Sequence, residues 1–380
     1  MNFDFPDELK QLRDTARAFL TAHAPTAVAR KVLDNDLGLD RDLWKEIGDL
    51  GWLAATIPEA YGGLDLGPLA VCVLAEEVGR SLAPVPFSSS VTLATEALLR
   101  YGSPEQKQAH LPRLANGSVI GTVAFVESLG AANPRSFATH FAGGRLEGHK
   151  ILVADGGVAD IAIVAARAPD GEPGLYLAEL SGTTVERESR ATIDPSRGHA
   201  DLRFMGQIAE PLPGGTGTAA FASLLDRAAV SMAFEQIGIA AAALDMATAY
   251  AKERYAFGRP IGSFQAIKHK LVDVYVALEL ARSNAYFAAW ALANDVPELP
   301  VAAAAARVAA CEAAWLATKE NIQTHGGMGF TWDLDCHLYY RRAKLLGLAL
   351  GSSTEWKRKL IACLTAADYG AVNEPASTRG

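Results

Sequence analysis

The sequence predicts an α+β fold of three parts: an N-terminal α-helical domain over 1–117, a middle β-domain over 118–213 and a C-terminal four-helix bundle over 214–380. Two observations predict this order. Apolar residues recur at helical spacing in the first and last parts, whereas the middle part consists of short β-branched runs separated by Gly, Asp and Pro. Such an order of mixed classes argues against a doubly wound α/β enzyme.

In the first part, LKQLRDTARAFLTAH has helical periodicity, and a further helix is expected to open at Asp42. PEAYGG, at 58–63, breaks the chain before a long helical run from Leu69 to Leu82. The stretch from Ser103 to Gly117 predicts a helix that is capped by Ser103 and ends before Gly117.

In the middle part, VIGTVAF, HFAGGRLEGHKILVADGG, ADIAIVAAR, GLYLAEL and TTVERES predict strands. The last part contains four long periodic segments, and antiparallel packing in a bundle is the economical arrangement. These segments run from Leu224 to Glu253, from Ser263 to about Ala293, from Val301 to Gln323 and from Thr354 to about Ala366.

Composition narrows the class of protein. The chain has 380 residues, is 50% hydrophobic and carries a formal net charge of -8 with a pI near 5.6, so nucleic acid and anionic membranes are not expected as partners. The N-terminus is acidic and amphipathic, which predicts a soluble, cytoplasmic protein. The cysteines form no CxxC pair, so neither a disulfide nor a metal site is expected; they are Cys72, Cys311, Cys336 and Cys363.

The stretch RYAFGRPIGSFQAIKHKLVDV, at 254–274, places cations among rings between two predicted helices. It has two interpretations. One is a helix hairpin with a solvated basic turn. In the other, the guanidinium of Arg254 binds a phosphate, a nearby ring covers a flat heterocycle, and the free N–H groups at the start of the second helix assist. A dinucleotide would suit the second interpretation.

A second stretch, NIQTHGGMGFTWD, follows a predicted helix. Its glycines, Gly326, Gly327 and Gly329, suit either a helix C-cap or a backbone that lies close to a ligand. The spacing matches neither the Rossmann fingerprint nor the P-loop.

Together, these stretches resemble the C-terminal signatures of the acyl-CoA dehydrogenases, and the resemblance covers nearly the whole chain. PEAYGG and EQKQAHLPRLANG are also similar to the family's N-terminal text. The resembling C-terminal residues are Arg254-x-x-Phe257-Gly258, Phe264-Gln265, Gln323-x-x-Gly326-Gly327-x-Gly329 and Arg341-Arg342-Ala343-Lys344.

The resemblance implies a tetrameric FAD flavoprotein that removes two hydrogens from Cα and Cβ of an acyl-CoA thioester and passes electrons to an electron-transfer flavoprotein. A carboxylate takes the α proton while flavin N5 receives the β hydride. The resemblance also assigns cofactor-binding residues. Those implied for the adenine and diphosphate half of a FAD held mainly by a neighbouring subunit are Arg254, Phe257, Gln265, Gln323, Gly326 and Gly327; Val126, Ser128, Ser352 and Thr354 are implied elsewhere on the cofactor.

The sequence departs from the family at the catalytic base. In LALGSS, Leu350 stands where the carboxylate often precedes Gly-Thr. Some relatives place the base on the long helix beside an arginine, and Asp226-Arg227 resembles that pair, with Arg227 as a substrate-binding residue. The match needs a two-residue shift, because ungapped counting from Phe257 gives Ala228 and Ala229.

Other carboxylates remain candidates, and Asp226 has a structural alternative. Glu235 and Glu355 lie further along the chain. The alternative for Asp226 is an acid at a helix N-terminus that is stabilised by the dipole.

The β-domain departs as well. The text aligned with the family's TEPxxGSD-like loop begins at Val126, and the text aligned with its WITNG-like strand begins at Leu152. Leu152 replaces an aromatic residue that covers the flavin, and Ala154 replaces a hydroxyl. The resemblance is thus closer for the adenine pocket than for the isoalloxazine pocket.

Three functions remain open. The chain is a self-sufficient acyl-CoA dehydrogenase with another base, a half-site or non-catalytic subunit of a heteromeric dehydrogenase, or a relative that performs other flavin chemistry such as monooxygenation or nitroalkane oxidation.

Overall fold

The computed structural model describes residues 5–35, 38–130 and 132–373, with side chains described as far as 366. The predicted N-terminal helices are confirmed, and Ser103 caps the last of them in a capping box with Gln106. A buried π-helix, Ser88–Thr95, was not predicted. The α-helices are α1 Asp7–His23, α2 Thr26–Asn35, α3 Arg41–Asp49, α4 Pro68–Ser81, α5 Glu96–Tyr101 and α6 Pro104–Ala115.

The middle part is a sheet whose pairings form a closed ring. The strands are β1 Gly121–Ala124, β2 His140–Ala142, β3 Arg145–Ala154, β4 Ile161–Arg167, β5 Pro173–Glu179, β6 Val185–Ser189 and β7 His199–Thr216. The ring runs from β4 through β2, β3, β7 and β5 back to β4. Strand β1 lies beside β4, and β6 extends the sheet beside β7.

The chain passes directly from the sheet into the bundle, because β7 ends at Thr216 and the next helix begins at Gly217, close to the boundary predicted at 213. The four predicted bundle segments are helical, and Cys336–Leu348 adds a helix that was not predicted. The bundle helices are α7 Gly217–Glu253, α8 Gln265–Ala293, α9 Leu299–His325, α10 Cys336–Leu348 and α11 Ser353–Asn373. A small hairpin, β8 Tyr255–Ala256 with β9 Arg259–Pro260, joins α7 to α8.

Helix α7 is the centre of the molecule. It packs against α9 and α8 of the bundle and against α4 of the N-terminal part. By length and composition alone, α7 and the segment Leu299–Phe330 would cross a membrane, yet 83% and 56% of their apolar windows are buried inside the protein. Burial on most sides is typical of core helices in a bundle.

Candidate active site

The hairpin between α7 and α8 presents an aromatic ring to solvent. Its two-residue turn, Phe257-Gly258, has φ of 51° and 78°, the geometry of a type I′ turn. Phe257 is 96% exposed, and its ring meets the ring of Phe264 edge-on at 6.1 Å. A bulky residue in the left-handed region is uncommon and costs about 1–3 kcal/mol, so this exposed, strained phenylalanine points to a contact outside the chain.

The glycine segment follows a histidine that packs against the end of α7. Gly326 has φ of 61° and follows α9, and a Cβ added at Gly326 or Gly327 would meet no described atom within 4 Å. The His325 ring stacks on Tyr250, near the end of α7, with centroids 4.1 Å apart. This contact brings the two signature stretches together at one end of the bundle.

The adenine-side candidates form an open surface rather than a pocket within the chain. Arg254, Phe257, Gln265, Gln323, Gly326 and Gly327 are all exposed. A cation, a ring, two amides and unobstructed glycine backbone fit a nucleotide that is covered from its other side by a second chain.

Leu350 lies in the apolar core with a φ of 59°. The Trp356 indole N–H donates to the Leu350 carbonyl at 3.1 Å, and the buried Arg307 guanidinium donates to the Ala349 carbonyl at 2.7 Å. Two side-chain donors therefore hold the backbone at the position that resembles the family's base, around a side chain that cannot accept a proton.

The serine and glutamate after Leu350 cap α11. The Ser352 N–H donates to the Glu355 carboxylate at 2.6 Å, and the Glu355 N–H donates to Ser352 Oγ at 3.3 Å. Glu355 is thus occupied as a cap, and Thr354 is exposed on the first turn of α11.

Asp226 is buried in α7, and its carboxylate accepts a hydrogen bond from Lys359 of α11. Because α7 begins at Gly217, Asp226 lies in the third turn, so its interpretation as an N-terminal acid is wrong. Burial raises the pKa of Asp226, and the Lys359 ammonium opposes part of that rise. A raised pKa suits a base, but the ion pair holds the carboxylate in place.

Arg227 is engaged by two carboxylates. It bonds to Glu96 and, at 2.8 Å, to Asp295, so contact with substrate would require it to release one of them. Ala228 and Ala229, the ungapped matches to the family's base and arginine, are fully buried.

Glu235 is a buried ion-pair residue. Its carboxylate lies 3.4 Å from Arg197 and 3.9 Å from Arg342. Sequence reasoning missed these partners, because they come from the β6–β7 loop and from α10 and have no signal in local periodicity.

The two β-domain segments that the family resemblance assigns to the flavin, named here the flavin-side segments, lie side by side. The Ile151 N–H donates to the Val126 carbonyl at 2.8 Å, which joins the Val126 loop to the end of β3, where Leu152 and Ala154 lie. Leu152 is 40% exposed with φ of 52°, and its N–H donates to Asp201 at 2.9 Å. Ser128 is exposed. These segments offer an accessible apolar face, without the aromatic ring typical of the family.

The loop that contains Val126 and Ser128 is held by an ion pair with a buried lysine that the sequence did not reveal. Lys150 Nζ lies 2.6 Å from the Glu127 carboxylate, which also accepts the N–H groups of Ala138 and Thr139. Burial lowers the pKa of Lys150 to about 8, against the raising effect of Glu127. The loop thus has a fixed backbone that could support a ring system.

Similarity to known protein families and proteins agrees with this architecture. Residues 6–118 match the acyl-CoA dehydrogenase N-terminal domain, and residues 215–363 match the C-terminal domain of the same family. The chain is 36% identical to acyl-CoA dehydrogenase IpdE2 of Mycolicibacterium smegmatis over 93% of this chain and 98% of that protein. It is 34% identical to acyl-CoA dehydrogenase FadE27 of Mycobacterium tuberculosis over 84% and 87%.

Solved structures give the same result. The Tcur3481-Tcur3483 steroid ACAD variant has a TM-score of 0.88 at 32% identity, over 96% of this chain and 99% of that one. The ChsE4-ChsE5 complex from Mycobacterium tuberculosis has a TM-score of 0.86 at 29% identity, over 99% and 100%. The chain belongs to the acyl-CoA dehydrogenase family. It is accordingly an oxidoreductase that acts on the CH–CH bond of an acyl-CoA thioester.

Proposed function

We propose that the protein carries out the FAD-dependent α,β-dehydrogenation of an acyl-CoA thioester to the enoyl-CoA, with the cofactor shared between this chain and a neighbouring one. The observation that carries the proposal is the open surface formed by Arg254, Phe257, Gln265 and the Gly326-Gly327 backbone. A sterol side-chain or fatty acyl-CoA is the proposed substrate, an electron-transfer flavoprotein the proposed acceptor, and the cytoplasm the proposed location.

Different residues would bind different parts of FAD. When bound, FAD supplies the hydride acceptor. Arg254 offers its guanidinium to the diphosphate, and Phe257 offers its ring to the adenine. The adjoining segments at Val126 and Leu152 place backbone and apolar side chains against the flavin ring, and Ser128, Ser352 and Thr354 add hydroxyl groups.

In the single-chain form of this proposal, Asp226 is the base and Arg227 contacts substrate. Proton transfer to Asp226 would neutralise its carboxylate and leave the Lys359 ammonium donating to an uncharged carboxyl, since the charged form is the one that Lys359 stabilises. Lys359 would therefore influence how readily Asp226 accepts a proton, because it lowers the pKa of this carboxyl.

A second candidate is favoured by the packing around Leu350. The family's base position is an apolar core residue, and the ungapped alternative is two buried alanines. In this form, the chain pairs with an unlike dehydrogenase chain that supplies the carboxylate. The names of both solved structures reported above contain a pair of proteins, which supports a heteromeric assembly.

Helix α8 offers a surface for assembly as a homo- or hetero-tetramer. Val272, Val276 and Leu280 are 54%, 49% and 60% exposed at a spacing of one helical turn. An exposed apolar stripe of this kind is typical of an oligomer contact.

One experiment separates the two forms. The chain is purified alone and with a co-expressed homologous chain, and FAD content and acyl-CoA-dependent bleaching of the visible flavin band are measured. Bleaching by the chain alone supports the single-chain form, and bleaching only in the mixed complex supports the heteromer. If flavin is bound but no acyl-CoA bleaches it in either preparation, dehydrogenation is refuted. That result would favour the alternative of other flavin chemistry.

A further inference from the structure

Five buried charged residues meet where the three parts of the molecule join; we name them the interdomain charge cluster. Each is at most 4% exposed, and together they link the π-helix, the β-domain, α7 and α10. The members are Asp155, Asp194, Arg197, Glu235 and Arg342.

Arg197 is the centre of one half of the cluster. Its Nη2 donates to Ser88 Oγ at 2.9 Å and to Asp155 Oδ2 at 3.1 Å, and its Nη1 lies 3.4 Å from Glu235. Ser89 Oγ also donates to Asp155 Oδ2 at 2.5 Å. One guanidinium therefore contacts the π-helix, the turn after β3 and helix α7 at once.

Arg342 forms the other half. Its Nε donates to Asp194 at 2.5 Å, and its Nη2 donates to Ser196 Oγ at 2.9 Å, so α10 holds the β6–β7 loop that carries Arg197. Burial alone would raise the pKa of Asp194, but Arg342 and Ser196 bring it below its usual value.

The positions of these groups are coupled by the cost of burying charge. A buried ion that loses its partner is strongly destabilising, so a shift of any one member disturbs the others. Asp155 Oδ1, Arg197 Nε and Arg342 Nη1 are buried with no hydrogen-bond partner among the described residues. The hydrogen bonds and ion pairs that Arg197 and Arg342 do make are therefore the contacts that hold the cluster together.

Asp155 begins the turn that follows Leu152 and Ala154 at the end of β3, and its N–H donates to the Gly198 carbonyl at 2.7 Å beside Arg197. Asp155 has φ of 55°, so the turn depends on a left-handed backbone at this residue. The end of β3 that precedes this turn is joined to Val126 through Ile151. The cluster is therefore attached to both flavin-side segments and to α7, the helix that carries Asp226.

We propose that Arg197 and Asp155 are positioning residues for the flavin ring: they hold the segment at 152–156, the end of β3 and the start of the turn after it, in register with α7 and the π-helix. This inference rests on the proposed function, because the role of the turn depends on FAD. Arg197 neutralises the charge of the Asp155 carboxylate, so the positioning depends on an ion pair.

The test compares full-length Asp155→Asn with the wild type. Asparagine has the same shape and tolerates the left-handed region, so the substitution removes the charge and little else. The matched control is Glu77→Gln, since Glu77 is equally buried and pairs with Arg17 at 2.7 Å, away from the turn. Hydrogen exchange of the segment at 149–156, FAD affinity and the position of the visible flavin band are measured in each protein.

We expect Asp155→Asn to speed exchange in this segment by about tenfold, to weaken FAD binding and to shift the flavin band, because local opening becomes easier. Glu77→Gln should leave all three unchanged. Equal behaviour of the two variants, or a loosened turn with unchanged FAD affinity and spectrum, would overturn the inference. Arg197→Lys, which keeps the charge but loses the fork of donors, replaces Asp155→Asn if that variant does not fold.

The exchange measurement needs no cofactor, so it separates this inference from the proposed function. If the wild type takes up no FAD, the proposed function fails, and the holding of the turn is then judged on exchange alone.

Discussion

Leu350 is the residue at which the chain differs most plainly from its family, because an aliphatic core side chain replaces a base. Leu350→Glu restores a carboxylate on a backbone that Trp356 and Arg307 already hold. In this apolar setting its pKa should rise, which suits proton abstraction. We expect FAD-loaded Leu350→Glu to be reduced by acyl-CoA at least about tenfold faster than Leu350→Gln, in stopped-flow measurements of flavin bleaching.

The glutamine variant has the same size and hydrogen-bonding capacity without the ability to take a proton. Equal rates for the two variants would mean that position 350 does not face the substrate.

Asp226 tests the single-chain form. Asp226→Asn should lower flavin reduction by about a hundredfold or more, because general base catalysis typically contributes 10²–10⁴-fold. Since burial raises the pKa of Asp226, the wild-type rate should increase with pH as the carboxylate loses its proton, and this limb should vanish in the variant. A loss smaller than threefold in rapid-mixing assays would place the base on another residue or chain.

At this scale, the sequence predicted residues whose partners are near in the chain. Ser103 and its helix are an example, because a capping box is a local pattern. The pairing of Asp226 with Lys359 joins residues far apart in sequence, and no periodicity indicates it.

The α7–α8 hairpin is the element that carries the adenine-side proposal. Phe257→Asn should lower FAD affinity about tenfold, through loss of stacking worth roughly 1–3 kcal/mol, yet leave thermal stability equal or higher. Asparagine tolerates the left-handed backbone that strains phenylalanine. Fluorescence titration with FAD and thermal unfolding measure the two effects.

Tyr255→Asn, on the adjacent strand and 64% exposed, is the control. An equal loss of affinity in both variants would show that general hairpin polarity, rather than the Phe257 ring, is responsible.

Helix α8 is the element that carries the assembly proposal. Val276→Lys should reduce the oligomer to smaller species, because a buried valine is worth about 1.5–3 kcal/mol and a buried lysine charge is costly. Val276→Ile keeps the apolar character and should preserve the assembly. Light scattering after size-exclusion chromatography gives the mass; an unchanged mass for the lysine variant would move the contact to another face.

The sequence predicted long, periodic elements and missed irregular ones. Helix α10 begins shortly after the signature glycine segment. Its RRAK run was interpreted as part of the family signature, and no helix was predicted there. The π-helix Ser88–Thr95 is buried throughout although five of its eight residues are Ser or Thr, so its sequence does not divide into a buried apolar face and an exposed polar face.

The whole molecule is joined by buried charge as well as by apolar packing. Because Arg342 lowers the folded-state pKa of Asp194, this group stabilises the protein fully above the pKa of the unfolded chain, about 3.9. That stability is lost as pH falls through the lowered folded pKa. The wild type should therefore lose more free energy of unfolding on acidification than Asp194→Asn, as measured by denaturant unfolding across pH. Parallel pH profiles would contradict this account.

The order of helices, strands and bundle followed from periodicity, since each part has its own local pattern. The interdomain charge cluster did not, because Arg197 and Glu235 become partners only when the β-domain docks on α7. FAD was predicted from the family resemblance and not from a physical argument.

The most direct test of the central claim is anaerobic visible spectroscopy of the FAD-loaded protein, alone and with an unlike homologous chain, during titration with acyl-CoA thioesters. We predict that at least one preparation holds FAD and is bleached by an acyl-CoA with formation of the enoyl-CoA. The claim would be contradicted if neither preparation holds FAD, or if the bound FAD is bleached by none of the acyl-CoA thioesters.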